Sequence, residues 1–250
     1  LAFNELLAVD YWILRQAQLL QSELVEHYHA YEFHNVYQKL HNFCAIELSG
    51  FYLDVIKDRQ YTTQRDSLAR RSTQTAMLHI LRIISRLMAP ILSFTADEIW
   101  ENIPGEKAEF VFLSGFDETP ALLDEHAEFD DAYWQRLLQV KTAINKELEA
   151  KRAAKEIGAS LGAELTLYCS EKLLEELERL GEELRFALIV SQATLAPLAE
   201  AEAEAATETE LADLRVKVVA SKNDKCERCW HLRADVGAEP SHPTLCLRCV

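Results

Sequence analysis

The sequence predicts a mainly α protein: a helical bundle over residues 1–156, a small α/β module over 157–220, and a compact four-cysteine tail over 221–250. Three observations lead there. Apolar residues recur at helical spacing through the first part of the chain. Strict alternation, the period of a half-buried strand, first occurs at Ala163–Cys169. Four of the six cysteines fall between Cys226 and Cys249.

Residues 4–28 carry Leu6, Leu7, Ile13, Leu14, Leu20 and Leu24 among polar residues with no Pro or Gly, which predicts an amphipathic helix. From Tyr31 to about Ser49 the apolar positions Phe33, Val36, Leu40, Phe43 and Leu48 predict a second helix, with Gly50 placed to end it. A long helix follows from about Arg65 to Met88. Its broad apolar face carries Leu68, Thr75, Leu78, Leu81, Ile84, Ser85 and Met88, and Pro90 ends it. Thr95 with Glu98 three residues later has the spacing of a capping box, so a short helix is expected to start there and run through Trp100 before Pro104-Gly105. Asp131 to Glu156 reads as another long helix, with Trp134, Leu137, Leu138, Lys141, Ile144 and Leu148 at helical spacing behind an acidic pair that suits a helix N-terminus.

The pattern then changes. Ala163, Leu165, Leu167 and Cys169 alternate with Glu164, Thr166 and Tyr168. Ser170 is placed to cap a helix through Leu180 that Gly181 closes, and Phe186–Val190 and Leu214–Ala220 read as further strands. Ala199–Glu210 is an Ala/Glu-rich tract, expected to be a solvated helix or loop without chemistry.

Cys226-Glu-Arg-Cys229 and Cys246-Leu-Arg-Cys249 are two Cys-x-x-Cys knuckles separated by sixteen residues. A two-residue gap lets both thiolates of a knuckle turn toward one tetrahedral centre, and the longer gap is the hairpin that sets the second knuckle opposite the first. Cys226, Cys229, Cys246 and Cys249 are therefore the expected ligands of one structural Zn²⁺ per chain, in a zinc-ribbon-like tail. Cys44 and Cys169 stand alone in apolar stretches, as buried free thiols do. With no signal peptide, no membrane-spanning apolar run and no disulfide framework, the expected compartment is a reducing cytoplasm. The chain starts at Leu1 and stops one residue after its last cysteine, the expectation being a piece of something longer.

The formal net charge is −15, distributed as −2 over residues 1–100, −6 over 101–160, −8 over 161–220 and +1 over 221–250. A polyanion is expected to avoid the acidic middle and meet the two ends.

Several phrases resemble one family. Tyr31-Glu-Phe-His-Asn-Val-Tyr-Gln-Lys-Leu-His-Asn-Phe-Cys44, Phe51-Tyr-Leu-Asp-Val-Ile-Lys-Asp-Arg59, Arg70-Arg-Ser-Thr-Gln-Thr75 and Ala89-Pro-Ile-Leu-Ser-Phe-Thr-Ala-Asp-Glu-Ile-Trp100 resemble the anticodon-binding domain of bacterial isoleucyl-tRNA synthetases. Ile157-Gly-Ala-Ser-Leu161, Leu188-Ile-Val-Ser-Gln192 and Lys225-Cys-Glu-Arg-Cys-Trp-His231 resemble the region after that domain and the C-terminal zinc module of the same family. Valyl and leucyl relatives carry helices similar to the phrase ending at Trp100, whereas the Cys-Glu-Arg-Cys-Trp-His knuckle is far more specific to the isoleucyl branch. The family's catalytic signatures His-Ile-Gly-His and Lys-Met-Ser-Lys-Ser are absent. The resemblance implies the C-terminal part of a monomeric cytoplasmic ligase. The complete enzyme would activate isoleucine with ATP and attach it to tRNA(Ile), using catalytic and editing domains upstream in the same chain. This stretch would hold the anticodon arm and would neither bind ATP nor catalyse alone.

For that role Lys57 and Arg59, expected just past a helix end, and Arg70 and Arg71 on the long helix are candidate phosphate contacts. They equally suit solvated charges paired with Asp54, Asp58 and Asp66. His34, His41 and Asn42 suit packing or capping better than base reading, and Trp100 and Trp134 suit the core. Trp230 follows a zinc ligand directly, placed to pack over the hairpin or stack on a base or another domain. Lys222, Lys225, Arg228, Arg233 and Arg248 crowd the cysteines, some to offset the thiolates and others, with Arg228, Arg233 and Arg248 in view, to reach tRNA. Two other readings compete: a glycosylase-type DNA-binding zinc finger, against which the missing N-terminal Pro-Glu nucleophile counts, and a helical scaffold whose zinc hairpin binds protein.

Overall fold

The computed structural model describes residues 1–116 and 121–250. Two compact units divide between Asp130 and Asp131.

The first unit is helical. It comprises α1 (Ala8–His29), α2 (Phe33–Asn42), a π-helical stretch (Phe43–Tyr52), α3 (Leu53–Thr62), α4 (Leu68–Met88) and α5 (Ser93–Asn102). Gly50 does not end the second helix as expected. The helical path continues through it, because the five-residue step between the buried Phe43 and Leu48 is accommodated by the wider π turn, and α3 follows directly. Lys57 and Arg59 consequently lie within α3 rather than past a helix end.

The buried face of α4 also differs from the expected one. Leu68 and Leu81 are exposed, while Ser72, Thr73, Ala76, Ile80, Ile83 and Leu87 are buried. Ser72 and Thr73 face inward because they meet a buried carboxylate. Asp10 on α1 is fully buried, accepting from Ser72 Oγ at 2.6 Å, from Tyr52 OH at 2.7 Å and from Thr73 Oγ1 at 3.2 Å. Arg59 Nη1 donates to its second oxygen at 3.2 Å. Burial pushes the Asp10 carboxyl above its ordinary range, while Arg59 and the three hydroxyls pull the other way.

Thr95 does not cap α5. The helix begins two residues earlier, at Ser93, so Thr95 lies inside it. Trp100 fills the core beside it with Ala89, Ala96, Ile103 and Val111, and its indole N–H donates to the Ala108 carbonyl at 2.9 Å. Residues 121–124 run along α1, held by Gln18, Arg15 and Tyr11 bonding to the Ala121, Leu123 and Asp124 carbonyls.

The second unit opens with α6 (Asp131–Ala153). The sequence suggests a boundary after residue 156, where helix gives way to strand. The compact unit starts earlier because α6 packs on the sheet and on a later helix. Its buried face carries Trp134, Leu137, Lys141, Ile144 and Leu148 as expected. The sheet contains β1 (Ala163–Cys169), β2 (Gln192–Pro197), β3 (Thr207–Glu208) and β4 (Leu214–Ala220) in the order β2-β1-β4-β3, with β1 parallel to β2 and antiparallel to β4. Between β1 and β2 the chain crosses over through α7 (Glu171–Glu178) and α8 (Glu183–Leu188). Ser170 caps α7 by accepting from the Leu173 N–H, and Gly181 closes the turn at φ 50°.

Phe186–Val190 is not a strand. Its first half ends α8, and Ile189 at φ 59° breaks the helix. A short run buried on all sides has no period to separate helix from strand. In the Ala/Glu-rich tract, Thr207 and Glu208 pair with β4, and Glu202, Glu204 and Glu208 bond to Arg215 and Lys217 on that strand. No helix among the described residues is long and apolar enough to cross a membrane.

Asp10→Ala would remove the carboxylate to which the buried Arg59 Nη1 donates. The expected loss is about 3–5 kcal/mol of first-unit stability, read as a lower urea midpoint, whereas Lys57→Ala on the exposed face of α3 leaves the midpoint unchanged.

Candidate metal centre and nucleic-acid interface

The sulfur atoms of Cys226, Cys229, Cys246 and Cys249, all buried, lie within 4.8 Å of one another. Cys229 Sγ and Cys246 Sγ are 3.7 Å apart. Two thiolates bound tetrahedrally to one zinc should be about 3.8 Å apart, from Zn–S bonds of about 2.3 Å. The donor set and spacing therefore fit a closed structural site.

The backbone builds this arrangement. The Trp230 N–H returns to the Cys226 carbonyl at 2.9 Å in the first knuckle, and the Val250 N–H to the Cys246 carbonyl at 3.2 Å in the second. Cys226 N–H to His231 O, Glu227 N–H to Thr244 O and Gly237 N–H to Leu245 O join the hairpin. Gly237 turns at φ 76°, where an added Cβ would stand 2.9 Å from the Pro243 carbonyl oxygen, so a side chain cannot be accommodated there.

Burial opposes ionisation of Cys226, yet backbone N–H groups of Cys229, Cys246 and Arg228 outweigh it and bring that thiol down to about 6. Burial instead pushes Cys229 up to about 11, and Cys249 is also raised. The Cys226 thiolate forms readily, whereas those of Cys229 and Cys249 need a cation to stabilise them.

Around this centre the predicted contact residues diverge. Trp230 is 62% exposed and sits at φ 65°, with the Lys225 ammonium 5.1 Å from its ring centroid. Arg228 is exposed, donating to the Cys249 carbonyl at 3.4 Å. Arg233 is half-buried and bonds to Asp235 at 3.3 Å, and Arg248 is half-buried with its guanidinium 5.0 Å from the Phe186 ring. Arg228 and Trp230 thus face outward, while Arg233 and Arg248 are half-buried.

In the first unit, Arg71 is exposed and Arg70 half-buried in the first turn of α4. Lys57 is exposed and donates to Asp54 at 2.5 Å, the local pairing that competed with phosphate contact. Arg59 departs from expectation outright. It is 3% exposed and spent on Asp10, so it offers no surface to a phosphate.

The sequence also leaves an aromatic surface unassigned. Tyr31, Phe33 and Tyr37 are exposed, the last packed near His41 at 5.9 Å between ring centroids. His34, His41 and Asn42 lie on the same exposed side of α2 and are not packed inside, contrary to the reading favoured for them. Aromatic or imidazole side chains at residues 33, 37 and 41 are four apart, a signal that would have identified this face.

Residues 10–167 match the family model of the anticodon-binding domain of tRNA ligases. The chain belongs to that family. Its tail, residues 223–250, matches a zinc finger found in FPG and IleRS proteins. Isoleucine–tRNA ligases of Pseudomonas putida strain GB-1 and Pseudomonas entomophila are each 55% identical over 100% and 99% of the chain, and that of Saccharophagus degradans is 51% identical over 99%. The chain spans about a quarter, 26%, of the length of each relative, corresponding to their C-terminal part. Both the anticodon-binding domain and the zinc finger anticipated from the motifs are thereby found.

Cys226→Ser is expected to unfold residues from about 222 to 250 and leave α1–α5 intact, because metal binding and folding are coupled in such small modules. Proton–nitrogen NMR checks this: tail resonances should collapse toward random-coil positions while those of the first unit stay dispersed.

Proposed function

We propose that this chain is the tRNA-binding C-terminal part of a cytoplasmic, monomeric isoleucine–tRNA ligase. It grips the anticodon arm of tRNA(Ile), and upstream domains of the same protein activate isoleucine with ATP, transfer it to the tRNA and edit errors. One Zn²⁺ held by Cys226, Cys229, Cys246 and Cys249 fixes the hairpin that presents Arg228 and Trp230. Lys57, Arg70 and Arg71 supply phosphate contacts from the bundle, and Tyr31, Tyr37 and His41 offer stacking faces for loop bases.

The observation that carries this reading is Trp230. A bulky residue at φ 65° occupies a conformation that L side chains adopt reluctantly, at a penalty of roughly 1–3 kcal/mol. Burial does not repay it, since the indole is 62% exposed. An exposed indole in a strained knuckle position, with a lysine ammonium over its ring, has the features of a stacking platform for an unstacked RNA base beside a phosphate.

Trp230→Gly removes the backbone penalty and the stacking face together. The unit is expected to be as stable as before or more so, while tRNA(Ile) binds weaker by roughly 1–3 kcal/mol. Undiminished affinity in a filter-binding assay with intact zinc would count against the platform. Neutralising Lys57, Arg70 and Arg71 together should lower affinity for all tRNAs and flatten its salt dependence. An unchanged salt slope would remove these residues from the interface.

A further inference from the structure

The cysteine hairpin has almost no core of its own. Among the described residues, its buried apolar cluster consists of the four cysteines, with Val236 and Leu245 packed against them. A module this small needs an external support, and α8 with the loop leading into β2 provides one. The Phe186 ring is approached by residues from both knuckles. The His231 ring, two positions beyond Cys229, meets it edge-on at 5.6 Å between centroids. Arg248, just before Cys249, places its guanidinium 5.0 Å from the same ring.

Arg185 completes the shelf. Its guanidinium lies 4.0 Å over Phe186, and Nη1 donates to His231 Nδ1 at 3.2 Å. Below it, the Leu232 N–H donates to Ser191 Oγ at 2.7 Å, and Ser191, fully buried, donates in turn to the Leu161 carbonyl at 2.5 Å. Phe186, Arg185, His231 and Ser191 are all buried, so these contacts form away from competing water.

His231 and Arg248 reach one ring only while the two knuckles are held face to face, which the shared metal enforces. Loss of the metal lets the knuckles separate, and Phe186 and Arg185 then lose partners from both sides. We propose that Phe186 and Arg185 are positioning residues for the metal centre, so that zinc occupancy and packing of the α8–β2 corner are a single equilibrium. The shelf raises zinc affinity, and zinc in turn orders residues 183–197. The proposal rests on the zinc assignment made above.

The test uses the whole 250-residue chain. Zinc content is measured first, followed by amide hydrogen exchange with and without the metal. Zinc affinity is then determined by chelator competition for Phe186→Leu, Arg248→Met, Arg248→Lys and the Phe186→Leu/Arg248→Met double variant. Phe186→Leu keeps apolar bulk in the corner and removes only the aromatic face.

Metal removal should accelerate exchange across residues 183–197 by at least roughly tenfold and leave α1–α4 unaffected. Each of Phe186→Leu and Arg248→Met should weaken zinc binding by roughly three- to tenfold. The double variant should be little worse than Phe186→Leu alone, because the Arg248–Phe186 contact is already lost there, and Arg248→Lys should retain most of the affinity. If Arg248 acts only as a charge near the thiolates, the two effects add, and the proposal is overturned. It is also overturned if residues 183–197 exchange identically with and without metal in a chain shown to hold one zinc. A chain that takes up no zinc overturns the metal assignment, and the coupling with it.

Discussion

The first unit is organised around the carboxylate of Asp10. A carboxyl group with no access to water is tolerated only where its hydrogen-bonding capacity is met, and here the partners come from the π-helical stretch, α3 and α4. That requirement fixes the rotation of each element. It explains why α4 buries Ser72 and Thr73 while exposing Leu68, and why Arg59 leaves the surface. With α1, α3 and α4 pinned from inside, α2 and the start of α4 are left to present aromatic and basic side chains outward.

The C-terminal hairpin solves a different problem. It lacks the apolar residues for an independent core, so its order depends on four thiols closing on one centre and on the shelf at α8 and β2. Trp230 follows the first knuckle at positive φ, its N–H returning to the Cys226 carbonyl, and its side chain stays exposed rather than being buried with the sulfur atoms.

Net charge alone is a poor guide to where an anion can approach. Much of the acid in the second unit is already engaged. Glu202 and Glu208 pair with Arg215, Glu204 with Lys217 and Glu210 with Lys146, so the Ala/Glu-rich tract neutralises basic side chains of β4 and α6 and withdraws them from the pool available to RNA. Such exposed pairs add little stability. Their effect is on the distribution of potential, which leaves the outward basic groups at Arg70–Arg71 and around the cysteines.

Wherever one local rule governed the outcome, the amino-acid sequence was sufficient. Knuckle spacing determined which four cysteines cluster, period-two alternation determined β1, and helical periodicity with Ser170 and Gly181 determined α6, α7 and the turn after them. Tertiary structure decided the cases in which a polar or ambiguous residue needed a distant partner. Ser72, Thr73 and Arg59 went inside because Asp10 lies more than forty residues away in sequence but adjacent in space. Phe186 lies in a helix that its periodless apolar run could not distinguish from a strand, and His231 and Arg248 meet it from the hairpin. Local patterning records which faces are apolar, but burial of a charge or a hydroxyl depends on what stands opposite, and only the folded chain supplies that.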